Sequence, residues 1–224
     1  PHIKVNDITC AGEEEVEKIK LLGLHIDNKL SYESHTKIIC GRILGKMKHL
    51  EALKAKASFR TLKEVTVSLI HSTIEFCAEL YLISHRNQVL IQKKLNSVMR
   101  MLLDMDSEAS CADMMDVLGW LNVHNMRVWC CVRTLKRIMT HPSQTPNLWE
   151  LVNMNEGPLH NVRYRALKLN WRKYTRWARD SFVSQATDLY NKLGMHGRAF
   201  EDYQDMRDKV KSDIIQKFGN KNLK

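Results

Sequence analysis

The feature that most constrains the fold is a change of hydrophobic period near residue 33. Before it, short apolar runs such as Ile3-Lys4-Val5 and Ile8-Thr9-Cys10 flank turn residues, a pattern typical of strands. After it, apolar residues recur every three or four positions almost to the C-terminus, as on one face of a helix. The sequence therefore predicts a mainly α fold, in which a short N-terminal β-hairpin or set of strands precedes a multi-helix bundle and a smaller C-terminal helical region.

The strand-like part is expected to contain two or three short strands within residues 2–26. Its last apolar run, formed by Val16, Lys18-Ile19 and Leu21 to Ile26, is interpreted as extended. Gly23 inside this run indicates a bulge or a close approach of the backbone to another group, because glycine weakens a strand interior without such a reason.

Helix boundaries follow from caps and breakers. The first helix is expected to begin at Glu33 and end near Ala57, and Ser58 or Thr61 is expected to cap the second. The later helices are predicted at about His85 to Leu103, Cys111 to Leu118, about Val123 to Thr140, within 147–152, from Phe182 to a stop at Gly194, and over a segment carrying Phe200 to Phe218. The two prolines within residues 141–146 predict a linker.

Six cysteines are present, without a Cys-x-x-Cys pair. Most lie among apolar residues, which favours reduced, buried thiols and an intracellular location, in the nucleus, the cytoplasm or both. A zinc site built from His71 with Cys77, or from His124 with Cys130, lacks two tight ligand pairs and is rejected. No apolar run approaches the length of a membrane span, so no membrane partner is expected.

Positive charge is concentrated near the C-terminus. The net charge is +10, and residues 142–224 hold 15 Lys and Arg against 9 Asp and Glu. Within them, residues 163–179 (the basic stretch) contain seven cations and no acid. Aromatic residues alternate with the cations. This combination is typical of nucleic-acid binding, because cations neutralise phosphates and aromatic faces stack on unpaired bases.

The basic stretch supplies the first set of candidate binding residues: Arg163, Arg165, Lys168, Arg172, Lys173, Arg176, Arg179, Trp171, Tyr174 and Trp177. As a helix, the stretch would place Leu167, Trp171, Tyr174 and Ala178 on one face. As an extended segment, it would alternate cations and aromatics between two sides. The alternative is that the aromatics belong to the core and the cations to a solvated surface.

A second candidate surface lies on the first helix. Lys37, Arg42 and Lys46, together with Lys48, occupy the face opposite its apolar stripe. They are candidates for contacts with the phosphates of a nucleic acid, and a merely solvated helix face is the alternative interpretation.

Several motifs in order resemble one family. They are Leu22-Gly23-Leu24 with Asp27, Leu30-Ser31-Tyr32 and His35; Leu69 to Glu79; Lys94 to Leu103; Leu118-Gly119-Trp120-Leu121 with Arg127; His160 to Arg163; and Ser181-Phe182 to Leu193. The pattern resembles the part of non-LTR retrotransposon reverse transcriptases of the jockey or CR1 type that follows the polymerase active site. Tyr32 and Tyr190 stand where that family usually has Trp, Thr36 where it has an aliphatic residue, and Gly194 where it has Pro.

The resemblance implies three domains: residues 1–32 as the end of the palm, 33–141 as a helical thumb-like bundle, and 147–224 as a basic C-terminal helical region. It also implies a primer-grip-like role for Leu22, Gly23 and Leu24. Polymerase chemistry needs paired carboxylates that hold Mg²⁺, and the family's Asp-Asp hairpin is absent from this sequence. No catalytic residue, metal site or cofactor is therefore expected in this chain, and Mg²⁺ would be bound only with a preceding palm. The acidic residues 201–208 are interpreted as a solvated helix face with ion pairs.

The expected function is that of a nucleic-acid-binding C-terminal fragment of an RNA-directed DNA polymerase, which grips a primer–template or the element's own RNA. Its expected partners are RNA, an RNA–DNA hybrid and the upstream palm and fingers of a longer product, with no small-molecule substrate. The alternative is a helical protein-interaction module derived from a retroelement, without nucleic-acid binding.

Overall fold

A computed structural model of the chain describes residues 18–154, 167–169, 181–195, 198–221 and 223. The described residues are mainly helical, with an N-terminal antiparallel hairpin before the helices. This confirms the predicted fold class. The strands expected at residues 3–5 and 8–10 lie outside the described residues.

The N-terminal hairpin consists of β1 (Lys18–Leu21) and β2 (Leu24–Asp27), paired antiparallel with Leu21 opposite Leu24. The extended apolar run expected over Val16, Lys18-Ile19 and Leu21 to Ile26 is therefore interrupted by a turn. The chain reverses at Leu22 and Gly23, whose φ angles of 46° and 92° are both positive. Two consecutive positive φ angles match the twist of a two-residue hairpin, and this requirement explains the glycine.

The turn after the hairpin is built around the Asp27 carboxylate. It accepts hydrogen bonds from the backbone N–H groups of Lys29 at 3.1 Å, Ser31 at 2.9 Å and Tyr32 at 2.7 Å. Tyr32, which precedes the first helix, has a left-handed backbone conformation. Asp27 therefore fixes the direction in which the chain enters the helices.

The helices are α1 (Glu33–Lys54), α2 (Phe59–Thr66), α3 (Ser72–Glu75), α4 (Ala78–Tyr81), α5 (His85–Leu103), α6 (Cys111–Leu118), α7 (Val123–Thr140), α8 (Pro146–Leu151), α9 (Phe182–Lys192) and α10 (Tyr203–Phe218). A π-helical turn, Val67–His71, joins α2 to α3, and a 3-10 turn, Pro142–Gln144, precedes α8. The predicted boundaries of α5, α6 and α7 are confirmed. The last helix begins three residues later than Phe200, which lies outside it.

Side-chain caps account for most of these starts. Ser58, not Thr61, caps α2, and Ser84, Ser110, Asn122, Ser181 and Asp202 cap α5, α6, α7, α9 and α10. In each case the side-chain oxygen accepts a hydrogen bond from the N–H group three residues later. This satisfies one of the donors that a helix N-terminus leaves unpaired.

A single hydrophobic core joins the hairpin to the last helix. Leu24 of β2, Ile39 of α1 and Leu95 of α5 belong to it, as do Tyr190 of α9 and Ile214 of α10. Helix α1 packs against α5, and both α9 and α10 pack against α7. The helices that follow the predicted linker therefore share the core of the bundle that precedes it.

A second small sheet follows α8. Strands β3 (Val152–Met154) and β4 (Leu167–Leu169) pair antiparallel, with Asn153 opposite Lys168. Of the two alternatives for the basic stretch, helical and extended, the extended one describes the backbone of residues 167–169.

The five described cysteines form no disulfide. Cys111, Cys130 and Cys131 are buried, and Cys40 and Cys77 are half-buried. Burial raises the pKa of Cys131 to about 11 and moves the pKa of Cys130 further in the same direction. These two thiols stay protonated and unreactive near neutral pH. Among the described helices, none has the length and apolar character needed to cross a membrane.

Candidate nucleic-acid interface

The outward side of α1 carries cations and lacks acidic residues along most of its length. Ile39, Ile43 and Leu50 face the core, and this orientation turns the remaining residues toward solvent. The α1 outer face consists of exposed residues: Lys37, Gly41, Arg42, Leu44, Gly45 and Lys48. No acidic residue occurs from Ser34 to Leu50. The potential over this face is therefore positive along most of the helix.

Among the described residues, no carboxylate forms an ion pair with the cations of this face. Elsewhere the chain does neutralise cations: Arg86 pairs with Glu33 at 2.7 Å, and Arg133 pairs with Glu75 at 3.0 Å. Within the described part of the chain, the charges of Lys37, Arg42 and Lys48 are therefore not neutralised by a carboxylate.

Two glycines lie at the centre of the α1 outer face. A Cβ atom built on Gly41 or Gly45 would meet no heavy atom within 4 Å. The space above both residues is open, so packing inside the chain does not require them. Glycine in a helix interior costs about 1 kcal/mol relative to alanine, and here it exposes a strip of backbone between Lys37 and Lys48.

Lys46, the third predicted residue of α1, has a different environment. It is half-buried, and its ammonium group donates to the carbonyl of Leu69 at 3.0 Å and to the hydroxyl of Thr73. These bonds tie α1 to the π-helical turn and α3. Lys46 is therefore a structural contact in the folded chain, whereas Lys37 and Arg42 are exposed.

The predicted grip residues lie at the hairpin turn in three different environments. Leu22 is 91% exposed, Gly23 occupies the turn, and Leu24 is 5% exposed. A Cβ atom on Gly23 would lie 3.6 Å from the ring of Phe76. The close approach expected at this glycine is thus to an aromatic ring of the same chain, and Leu22 is the residue of the three that an external partner can reach.

The basic stretch lies outside the described residues, except for 167–169. Lys168 is in β4, where its backbone is opposite Asn153. The remaining candidates of the stretch stay predictions: Arg163, Arg165, Arg172, Lys173, Arg176, Arg179, Trp171, Tyr174 and Trp177.

The histidines of the hairpin region are structural. His35 is fully buried, its Nδ1 accepts a hydrogen bond from the backbone N–H of His25 at 3.4 Å, and its ring meets Tyr81 edge-on at 4.9 Å. Burial lowers the pKa of His35 to about 4. A histidine in this setting is neutral and supports the contact between the hairpin and the bundle.

The described carboxylates do not assemble into a metal site. No group of three or more His, Cys, Asp or Glu side chains with suitable placement occurs in the described ranges. In the acidic segment, Asp202 caps α10 and Asp205 pairs with Lys209 at 2.7 Å. The prediction of ion pairs on a solvated helix face is confirmed there.

Sequence reasoning missed the buried polar contacts between distant helices. Thr134 of α7 donates to the Glu79 carboxylate at 2.6 Å, and Arg127, 4% exposed, donates to the side chain of Gln185 in α9. The partners are separated by more than fifty residues. A helical period gives no signal for such pairs, although the polar residues that interrupt the apolar face of α7 indicate that some contact is needed.

The chain matches no protein-family model, no curated protein and no solved structure. The resemblance to the reverse transcriptases therefore remains a prediction from the motifs.

Proposed function

We propose that this chain binds RNA or an RNA–DNA hybrid, as a non-catalytic C-terminal part of a non-LTR retrotransposon reverse transcriptase. The observation that supports the proposal is the α1 outer face, with three exposed cations that have no carboxylate partner among the described residues. Lys37 and Lys48 lie about 16 Å apart along the helix axis. This spacing allows them to contact different phosphates of one strand.

The two glycines fit the same use. A duplex presents a bulky sugar–phosphate surface, and side chains between the cations would hold that surface away from the helix. Gly41 and Gly45 leave room on both sides of the exposed Leu44 side chain, so that the strand can approach α1 while Lys37, Arg42 and Lys48 neutralise its phosphates. Phosphate contacts of this kind position a protein without reading sequence.

The test is charge reversal on the α1 outer face. The variant Lys37→Glu, Arg42→Glu, Lys48→Glu should weaken binding to a short RNA–DNA hybrid, measured by fluorescence anisotropy across a salt series. The slope of log K against log salt should become shallower by about one for every phosphate that the variant no longer neutralises.

The matched control reverses three exposed cations on other helices: Lys93→Glu, Arg137→Glu and Lys217→Glu. It changes the net charge equally and should leave the slope nearly unaltered. Equal weakening of hybrid binding in both variants would mean that net charge alone, and not the α1 outer face, causes the effect. No binding by the unaltered protein at low salt would reject the proposed function.

A further inference from the structure

A large cavity opens where three distant parts of the chain meet. Its volume is about 1130 Å³. The turn before α1 contributes one wall, the segment from Leu80 to Arg86 a second, and the start of α9 a third. The first two parts are joined behind the wall, because Asn87 donates to the carbonyls of Ser31 at 2.9 Å and Tyr81 at 3.0 Å. The cavity is thus set by the tertiary fold.

The rim of the cavity is cationic. Lys29 and Arg86 are both exposed and both line it. Glu33 is the one acidic residue among the described lining residues, and it pairs with Arg86 at 2.7 Å. Lys29 has no carboxylate partner in the described part of the chain. An anionic group at the rim would therefore meet one uncompensated ammonium and the outer side of a guanidinium.

The walls combine polar side chains, such as Ser31, Ser84 and Gln185, with two accessible aromatic rings. Tyr32, which precedes α1, and Phe182, the first residue of α9, are half-buried and line the cavity. Aromatic surfaces beside cations are the combination that binds unpaired bases, since every base offers a π-face.

Helix dipoles favour the same ligand. Three helices of eleven or more residues, α1, α5 and α9, begin at the cavity, and their N-terminal dipoles add to the positive potential of Lys29 and Arg86.

Resting on the proposed function, we infer that this cavity binds one unpaired nucleotide of an RNA strand. The base lies against Tyr32 and Phe182, and its phosphate lies at Lys29 and Arg86. The cavity thus takes the single-stranded end that continues from a duplex held elsewhere on the protein. It is separate from the α1 outer face, because the two share no residue.

The experiment compares two RNA–DNA hybrids, one blunt and one with an RNA overhang of a few nucleotides. The overhang should tighten binding about tenfold, the effect of one stacked base. The variants Lys29→Gln and Phe182→Leu should remove this increase in affinity and leave the affinity for the blunt hybrid unchanged. Lys93→Gln, on an exposed part of α5, is the matched control and should retain the increase.

The outcomes separate the two proposals. Failure of both hybrids to bind would reject the proposed function. Binding of both with equal affinity, or an overhang effect that survives in Lys29→Gln and Phe182→Leu, would overturn the cavity assignment alone. Displacement of the overhang by micromolar uridine monophosphate would overturn it too, because the site would then take a free nucleotide. Thermal unfolding of each variant establishes that a missing overhang effect does not come from an unfolded protein.

Discussion

At the residue scale, Asp27 makes the connection between the hairpin and the bundle. Its carboxylate accepts the N–H groups of Lys29, Ser31 and Tyr32, and also the Ser31 hydroxyl at 3.1 Å. Partial burial alone would raise the pKa of Asp27, but the hydrogen bonds from Ser31, Tyr32 and Lys29 outweigh it and lower that pKa below its usual value. The folded state therefore stabilises the ionised carboxylate of Asp27.

Replacing this carboxylate should destabilise the chain. We expect Asp27→Ala to lower the free energy of unfolding by about 1–3 kcal/mol, because backbone donors lose their acceptor. Urea unfolding measures the change. Asp116→Ala, at an exposed aspartate of α6, is the control and should change stability by less than about 0.5 kcal/mol.

The contribution of Asp27 to stability should depend on pH. Because the pKa of Asp27 is depressed in the folded state, this contribution is present above the pKa of the unfolded state and disappears as the pH falls through the folded pKa.

Two buried histidines make stability depend on pH. His71 is 7% exposed and meets the Trp120 ring edge-on at 4.5 Å. Burial, with smaller contributions from the charges of Lys211 and Arg207, lowers the pKa of His71 to about 3. His35 has its pKa lowered to about 4 in the same way. Both side chains are neutral in the folded state and gain a proton on unfolding in mild acid.

Stability should therefore fall as the pH is lowered from about 6.5, where an unfolded histidine begins to bind its proton. The fall should continue to about 4 for His35 and about 3 for His71. Each site contributes a slope of up to about 1.4 kcal/mol per pH unit. In His71→Phe, urea unfolding across this range should show a shallower dependence, while His49→Gln, at an exposed histidine, should retain the original slope. An unchanged slope in His71→Phe would contradict the neutral, buried state.

At the element scale, α1 carries two glycines that its own folding does not require. Both lie in the interior of a 22-residue helix with open space above them. Gly119 is different, because it follows α6 with a φ of 65° and ends that helix in a left-handed conformation. Alanine should therefore be tolerated at Gly41 and Gly45, inside a helix, but not at Gly119, which ends one.

The substitutions should act in opposite directions. Gly41→Ala and Gly45→Ala should each raise the free energy of unfolding by about 0.5–1 kcal/mol, since alanine is the better helix former. Gly119→Ala should lower it by about 1 kcal/mol, the cost of a left-handed conformation for a residue with a Cβ. If α1 contacts the phosphate backbone, the first pair should also weaken hybrid binding although they stabilise the fold. Unchanged binding would restrict the contact to the lysine and arginine side chains.

At the scale of the whole molecule, the C-terminal residues close the structure against the start of α7. The side chain of Asn220 accepts from the backbone N–H of Asn122 at 2.8 Å and donates to the carbonyl of Trp120 at 2.8 Å. Asn125 donates to the carbonyl of Gly219 at 2.6 Å. These contacts span about a hundred positions of the chain and hold α10 against the bundle.

Removing the Asn220 side chain should affect the whole fold. We expect Asn220→Ala to cost about 2–3 kcal/mol, because the N–H of Asn122 and the carbonyl of Trp120 would be left without a partner. Unfolding should remain a single transition by circular dichroism and by tryptophan fluorescence, since the helices on both sides share one core. Gln216→Ala, on the exposed side of α10, is the control. Two separate transitions would mean that the C-terminal helices fold independently of the bundle.

Helix positions followed closely from the sequence, because caps and stripes are local. The starts at His85, Cys111 and Val123 each come after a Ser or Asn cap, and all three were predicted. The hairpin turn at Leu22 and Gly23 was missed, since an apolar residue preceding glycine gives a weak turn signal. Tyr203 continues the apolar period of α10 and is nevertheless 53% exposed. A helical period identifies an apolar face, but the neighbouring helices decide how much of that face is covered.

The candidate site, like the fold, could be predicted from the sequence only in part. The sequence alone determined that α1 carries cations opposite an apolar stripe, because both follow from residue types at helical spacing. Tertiary structure decided that Lys46 is bound to Leu69 while Lys37 and Arg42 are exposed, since helix contacts depend on which elements meet. It also formed the cavity between Lys29, Arg86 and Phe182, residues separated by up to 153 positions that no local pattern brings together. Local periodicity thus fixed the elements, and long-range packing decided which of their side chains a ligand can reach.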